Sequence, residues 1–488
     1  MPSQKDAPVR LGKQPNWGNF WQDACWLSAL ALALRVLVVC WAKDRFPPAD
    51  DGTFYHVVAQ RIARGQGYTW LWPDGAVSYA AHYPVGYPAL LGLAYALVGS
   101  RPVVAMLVNA MLGALSVFAA QRVVIRYGSR RQALLAALVL ALHPGLVFYT
   151  PALMTEGVTA EMLVVATWLC LRAGSTGGPW RLFALGLFLG GLCLVRPQIL
   201  IMAPVFGFFA LDSPEPRYRA RIVRALLVLG LSVAVCLPWT LRNCARMDRC
   251  VFVSANGGWN LLIGSTPGAD GAWIPIDGAS VPAPCRNVFG EAEKDRCFGQ
   301  AGMENIRRHP FSFIALIPRK LSVTFDYFGA PGHYLHTSNY RAFGEPSKLW
   351  LGIVETIWER LVLLFGIVQA ARAGVARPRL RWVIAAPAAL FAVLRAGWLG
   401  YLGFAAVVAL SGKELMKRPV SALSAGLVLS TAATHAVFFG AGRYGFVCAA
   451  LLCLAAVGET SRETRAEARA ETTGERGRNG PKNEPAIG

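Results

Sequence analysis

Apolar stretches about as long as a bilayer is thick alternate with short basic loops along most of the chain. They fall at 24–42, 103–124, 132–149, 156–171, 181–195, 198–211, 225–241, 350–370, 382–395, 397–411, 420–438 and 444–458. A helix needs on the order of 20 apolar residues to cross the hydrocarbon core, where the backbone must bond to itself. The pattern therefore predicts an all-α polytopic membrane protein of about 12 transmembrane helices. Residues 84–99 are apolar but interrupted by Pro88, and are taken as a helix that dips into the membrane; residues 382–411 hold either two tightly joined helices or one long irregular one. The composition, 55% hydrophobic and 16% charged over 488 residues, is more apolar than a soluble core requires and supports the same class.

Short loops rich in Lys and Arg stay in the cytoplasm. With Lys5, Arg10 and Lys13 inside, every alternate loop is basic: Arg126, Arg130 and Arg131; Arg172 and Arg181; Arg217, Arg219, Arg221 and Arg224; Arg372, Arg377, Arg379 and Arg381; Lys413, Lys417 and Arg418. Both termini are then cytoplasmic, and Asp50, Asp51, Thr155, Glu156, Arg196, Arg443 and the long segment 242–349 lie outside. Counting 84–99 as a span would invert every later loop. The formal charge of +20 is scattered over inner loops rather than gathered on a stripe, which argues for topology and against a nucleic-acid partner. The chain divides into a cytoplasmic N-terminus (1–23), a first transmembrane part (24–241) with its outer loop at 43–102, the outer segment (242–349), C-terminal transmembrane helices (350–458) and a tail (459–488). The tail alternates Glu and Arg with Gly and Pro and reads as disordered cytoplasmic chain. A largely polar stretch precedes the first apolar run and no small-residue cleavage site follows it, so that run reads as a retained anchor.

Chemistry concentrates at the predicted outer face. Pro47-Pro48-Ala49-Asp50-Asp51-Gly52-Thr53-Phe54-Tyr55-His56 puts two adjacent carboxylates just beyond the first apolar run. A carboxylate gains nothing from lipid and is costly to desolvate, so at the mouth of a helical bundle it points to catalysis or ion binding. Phe54, Val58 and Ile62 recur at helical spacing, with His56, Gln60, Arg61 and Arg64 on other faces and Gly65 placed to end the run. This predicts a short amphipathic helix lying on the bilayer. The plainer reading is that Asp51 or Thr53 only caps it. Glu156 opens a span, where the helix dipole alone favours an acid. Arg196, Arg242 and Arg443 can grip an anion or merely snorkel at the interface. Arg35, mid-span, must face protein, paired with an acid the sequence does not single out.

His56, His82 and His435 form no pair at metal-ligand spacing. Asn256-Gly257-Gly258-Trp259-Asn260 reads as a tight turn, or as a loop whose backbone approaches a sugar or phosphate closely, ahead of a helix over about 287–308. Cys244, Cys250, Cys285 and Cys297 share the outer segment. Pairing 244 with 250 and 285 with 297 is the simplest of three connectivities, while the other seven cysteines behave as small hydrophobes in or near spans.

Taken in order, these strings resemble the membrane glycosyltransferases of the GT-C fold, in particular the bacterial group related to protein O-mannosyltransferases and the lipid A aminoarabinose transferase. The resemblance covers most of 24–458. It rests on Asp51-Gly52-Thr53-Phe54-Tyr55-His56 with Gly65-Gln66-Gly67-Tyr68, His82-Tyr83-Pro84, Thr155-Glu156, Arg196-Pro197, the Pro238-to-Asn243 and Asn256-to-Gly264 strings, and His435 through Gly440 with Gly442-Arg443-Tyr444.

The resemblance implies inverting transfer of a sugar from a polyprenyl-phosphate donor to a glycan, lipid or protein acceptor, at the outer face of the bacterial inner membrane. It implies Asp51 as general base, four residues before Tyr55, with Asp50 as the other candidate, and Glu156 as a second acid. Arg443 foremost, with Arg196 and Arg242, is implied to grip the donor phosphate, and Tyr55, His56, His82, Asn256 and Asn260 to contact substrate. An anionic leaving group calls for fixed positive charge or a divalent metal ion, whose identity the residues do not name. A secondary transporter would share the plan of about twelve helices with both ends inside, but should show two related halves and midplane polar residues. A polysaccharide ligase or polymerase would share the lipid-linked donor but rely on an Arg/His outer loop without Asp51.

Overall fold

The computed structural model describes residues 17–174, 178–211, 213, 217–372, 377–394 and 396–459. Most of the predicted N-terminal region and of the predicted disordered tail lies outside the described residues. Among the described residues the regular structure is helical apart from one two-stranded antiparallel hairpin, β1 (Thr69–Leu71) and β2 (Val77–Tyr79), in which Trp70 faces Ser78. The all-α polytopic class expected from the pattern holds.

Each of the twelve apolar stretches falls on helix, but they are not twelve uniform spans. Among the described residues five helices are long and apolar enough to cross a membrane: Gln22–Ala42, Pro102–Tyr127, Thr155–Gly174, Tyr218–Arg246 and Pro419–Val437. Gly86–Val98, Pro179–Val195, Pro197–Phe209, Gly397–Ala409 and Gly442–Val457 are apolar but shorter. Stretch 132–149 divides into Arg130–Ala141 and Pro144–Tyr149. Pro144 has no N–H to continue the first helix and opens a second, whose Leu146 N–H donates to the His143 ring. Stretch 350–370 belongs to Glu345–Arg372, which buries Glu355 and Glu359. Residues 382–411 are two helices, Pro378–Val393 and Gly397–Ala409, and 84–99 forms Gly86–Val98 with Leu93 and Leu97 exposed.

Arg35 finds its acid in the bundle interior. Its Nη2 donates to Glu161 at 2.8 Å, with both side chains buried. Gly113 makes the space, since a Cβ there would overlap the Arg35 side chain. One ion pair thus fixes the register of Trp17–Ala42, Pro102–Tyr127 and Thr155–Gly174, and the last of these carries Glu156 at its start.

The predicted amphipathic helix forms as Asp51–Ala63, but its apolar side does not rest on lipid. Phe54, Val58 and Ile62 pack with Tyr68, Trp70, Ala80, Val85 and Trp239, and the Phe54 ring stacks on Trp70 at 5.1 Å. The β1–β2 hairpin and the chain that follows it supply the cover that the sequence pattern alone would assign to the bilayer. In the 242–349 segment, Gly257–Ser265 lies along Glu291–Arg308, followed by Pro310–Phe325 and Ala330–Ser338. Its cysteines are bridged as Cys244–Cys250 and Cys285–Cys297.

A buried ion pair is costly to break from one side only. Arg35→Met should destabilise the detergent-solubilised protein by about 3–5 kcal/mol, read as a lowered unfolding midpoint. The double variant Arg35→Met/Glu161→Met should recover most of it, and no recovery would show that the pair is not what holds these helices.

Candidate active site

A cleft of about 1870 Å³ opens at one end of the bundle, between the 43–102 loop and the 242–349 segment. Asp51, Glu156, Arg196 and Arg443, from four distant parts of the chain, line it together. Asp51 is the first residue of its helix yet does not cap it. The N-cap position is Asp50, which makes no side-chain cap bond, and the Thr53 hydroxyl donates to the Pro48 carbonyl. Both Asp51 oxygens are used elsewhere: Oδ1 accepts from the Tyr83 hydroxyl at 2.7 Å and Oδ2 from Arg443 Nη1 at 2.8 Å. Burial alone would push this carboxyl up, but the Arg443 guanidinium and the Tyr83 hydroxyl more than offset it, so it is held below the ordinary carboxylate value and is ionised at neutral pH.

Glu156 accepts from Arg196 Nη1 at 2.9 Å and from the Tyr149 hydroxyl at 2.9 Å, with Arg443 Nε 3.7 Å away. Arg196 Nη1 also donates to the Thr155 hydroxyl at 3.0 Å, so the Thr155-Glu156 and Arg196 strings form one cluster. Arg443 further donates to the hydroxyls of Tyr334, at 2.7 Å, and Tyr444, at 3.1 Å. The Tyr444 ring carries Arg196 and Arg443 at 5.5 and 5.0 Å and stacks on His435 at 4.2 Å. Charges therefore alternate in the order Asp51, Arg443, Glu156, Arg196.

Around this row stand Tyr55, His82, Asn256 and Asn260, all lining the cleft. The His82 ring packs between Tyr83 at 4.7 Å and Trp259 at 5.6 Å. Burial holds its imidazole below the usual histidine value, partly opposed by Asp51 and Asp295. The Asn-Gly-Gly string opens the helix Gly257–Ser265 rather than making a turn. Gly258 leaves room for the Asp295 carbonyl, where a Cβ would not fit, and Asp295 Oδ1 accepts from the Trp259 N–H at 2.9 Å. Asp50 stands at the rim with φ at 49°, a region that costs a non-glycine residue strain, and its carboxylate is 3.8 Å from His333.

Two expected site residues do not line the cleft. The His56 ring bonds the Tyr95 hydroxyl at 2.7 Å and Gln60 at 3.1 Å. Arg242 donates to the carbonyls of Ala80 and Tyr68 at 2.8 and 2.7 Å and packs on Trp239. Together with Ala255 N–H to the Ala81 carbonyl at 2.7 Å and Ala81 N–H to Glu291 at 2.5 Å, Arg242 holds the strand of chain that presents His82 and Tyr83. Sequence reading missed Tyr149, Tyr334 and the hydroxyl of Tyr83. Tyr83 stood within a recognised string, whereas nothing in the local pattern marks Tyr149 or Tyr334.

The arrangement suits an anion better than a divalent cation. Of the carboxylates lining the cleft, Asp51 and Glu156 each have an arginine within 2.9 Å, and among the described residues no group of three or more His, Cys, Asp or Glu side chains is placed to hold a metal ion.

Residues 82–241 match the family model of the dolichyl-phosphate-mannose-protein mannosyltransferases. Over that stretch, about a third of its length, the chain is similar to those membrane glycosyltransferases. The matched stretch holds Tyr83, Thr155, Glu156 and Arg196; Asp51 and Arg443 lie beyond it on either side. No curated protein matches the chain. Among solved structures it is similar to the oligosaccharyltransferase of Archaeoglobus fulgidus tethered with an acceptor peptide. That likeness has 13% identity over 97% of this chain and 52% of that one, at a TM-score of 0.47. It is also similar to the archaeal oligosaccharyltransferase AglB from Archaeoglobus fulgidus in complex with an inhibitory peptide and a dolichol-phosphate, with 12% identity over 96% and 53% and a TM-score of 0.44. A third is ArnT from Cupriavidus metallidurans bound to undecaprenyl phosphate, with 14% identity over 92% and 79% and a TM-score of 0.38. The chain thus spans about half the length of the archaeal proteins it resembles.

Because Arg242 clamps the loop, Arg242→Gln should speed proteolytic cleavage within residues 65–83 roughly tenfold, the scale of losing charged hydrogen bonds to buried carbonyls. The unfolding midpoint of the bundle should change little. Unaltered cleavage would remove the clamp from the account.

Proposed function

We propose that the protein is an integral-membrane glycosyltransferase that moves a sugar from a polyprenyl-phosphate donor to a glycan, lipid or protein acceptor, working at the outer face of a bacterial inner membrane. The observation that carries this reading is the cleft row itself: an ionised carboxylate, Asp51, beside two arginines placed to hold an anion. Inverting transfer needs those two functions side by side. The acceptor oxygen attacks the anomeric carbon as Asp51 takes its proton, and the bond from that carbon to the phosphate oxygen breaks with its electron pair passing to the phosphate. Arg443 and Arg196 stabilise the charge that collects there, and as preorganised donors they need no rearrangement of water to do so. Glu156 holds Arg196, and Tyr83 orients Asp51. Tyr55, His82, Asn256 and Asn260 border the space for the sugar and acceptor. The relation to the mannosyltransferases over residues 82–241 supports the same reaction class.

Asp51→Asn keeps the size of the side chain and removes the base. Transfer from a polyprenyl-phosphate sugar by purified protein should fall roughly 10²-fold or more, with the expression level unchanged. If Asp50→Asn lost activity and Asp51→Asn did not, the base would be the neighbour; if neither lost activity, the loop would have no catalytic role.

Orientation rests on the basic loops. In a cysteine-depleted background, a thiol placed at residue 270 should react with an impermeant label added outside intact spheroplasts, and thiols at 128 and 218 only after lysis. Labelling of 270 from the cytoplasm would turn the site to the wrong side for this reaction.

A further inference from the structure

Building on the reading of Asp51 as the base, we propose that the donor phosphate switches that base on by taking Arg443 away from it. The pairing is direct. Arg443 Nη1 serves Asp51 at 2.8 Å and Tyr334 at 2.7 Å, Nη2 serves Tyr444 at 3.1 Å, and Nε faces Glu156 at 3.7 Å. An anion arriving from the cleft competes with acceptors already in place. Arg196 is the less reachable partner, since its side chain is 11% exposed against 22% for Arg443, its unpartnered Nε is buried, and the Glu156 side chain it serves is only 3% exposed; the Asp51 side chain is 20% exposed and lies on the cleft. The exchange therefore falls on the Asp51–Arg443 contact.

A carboxylate clamped by a guanidinium is a weak base, because the cation that stabilises its charge also opposes its protonation. The groups facing Asp51 are Arg443, Tyr83 and His82, with Tyr55 and Glu156 nearby, Asp50 next in sequence and Tyr334 on the far side of Arg443. Among them only Arg443 is cationic at neutral pH, so losing this one contact leaves Asp51 buried, held by Tyr83 and more basic than before. Its proton then comes from the acceptor hydroxyl. Once protonated, Asp51 no longer draws Arg443 back, and the departing polyprenyl phosphate keeps its partner. When the proton passes to water, the carboxylate recovers Arg443 and displaces the lipid phosphate. Base strength, donor binding and product release become one exchange at a single guanidinium.

Binding of undecaprenyl phosphate in detergent micelles tests this, with undecaprenol as the probe that lacks the anion. Asp51→Asn should bind undecaprenyl phosphate about tenfold more tightly than the unaltered protein, the scale of removing one charge-assisted competitor. Asp50→Asn should stay within about twofold, as expected for a charge outside the contact, and undecaprenol should not distinguish the three proteins. Equal tightening by Asp50→Asn would reduce the effect to general electrostatics, and no tightening by Asp51→Asn would overturn the exchange.

A second readout needs no variant. As pH falls through and below the ordinary carboxylate range, where a carboxyl held low by Arg443 begins to take its proton, Arg443 is freed, so the KM for the phosphodiester donor should fall there along with kcat; a KM that rises or stays level across that acid range would refute the exchange. The two readings fail separately. An active Asp51→Asn enzyme removes the base, whereas an inactive one with unaltered phosphate affinity keeps the base and removes the exchange.

Discussion

The site depends on burying two carboxylates and two guanidiniums together. None of the four could be taken out of water alone at a tolerable cost, and a single pair repays its desolvation only when the remaining donors and acceptors are satisfied. Here the row closes on itself. Arg443 stands between Asp51 and Glu156, Glu156 between Arg443 and Arg196, and the hydroxyls of Tyr83, Tyr149, Tyr334 and Thr155 take up most of the bonds left over, Arg196 Nε being the buried donor that stays without one. Much of the surrounding architecture serves to bring those groups to one place. Arg35 and Glu161 set the register of the helix that Glu156 begins, and Arg242 anchors the loop that carries Tyr83.

The aromatic residues make this possible because they are large, rigid and polar only at one end. Tyr149 stacks on Phe446 at 5.2 Å while its hydroxyl reaches Glu156, and Tyr444 supports both arginines while stacking on His435. A flat ring accepts a guanidinium over its face without adding a charge, so the arginines are held without being neutralised a second time. This leaves their N–H groups directed at oxygens, which is where an anion would compete.

The helical class and the approximate placement of the apolar helices were legible in the sequence, because apolar runs are one-dimensional signals, whereas Gly257–Ser265, Pro310–Phe325 and Ala330–Ser338 were not. Their interruptions were less so. The break at His143-Pro144 and the short Ala203–Phe209 helix follow from local backbone chemistry that a hydropathy pattern averages away. Asp51, Glu156, Arg196 and Arg443 were each visible as polar residues at the ends of apolar stretches, but their mutual pairing was not, since residues 51 and 443 meet only through the packed bundle. Arg242 shows the limit of such reading. It has the same residue type and predicted depth as the site arginines, and only the carbonyls of Tyr68 and Ala80 reveal that it holds a loop. The side of Asp51–Ala63 that looked lipid-facing turned inward for a similar reason: the residues covering it, Tyr68 to Val85, had no signal saying where they would fold.

A row of two positive and two negative groups is neutral overall, and that has a consequence for how a charged lipid would be recognised. Such a row exerts little long-range attraction, and Asp50 and Asp326 in the same cleft add none for an anion, so there is no steering of the kind that speeds soluble anions into basic clefts. A polyprenyl phosphate does not need it, because its tail already confines the search to the membrane plane. What the neutral row supplies instead is discrimination at contact. A phosphate must offer Arg443 a better set of oxygens than the Asp51 carboxylate does, and a neutral lipid of the same length offers none. On the proposed function, pairing Asp51 with Arg443 would serve selectivity as well as burial through one contact.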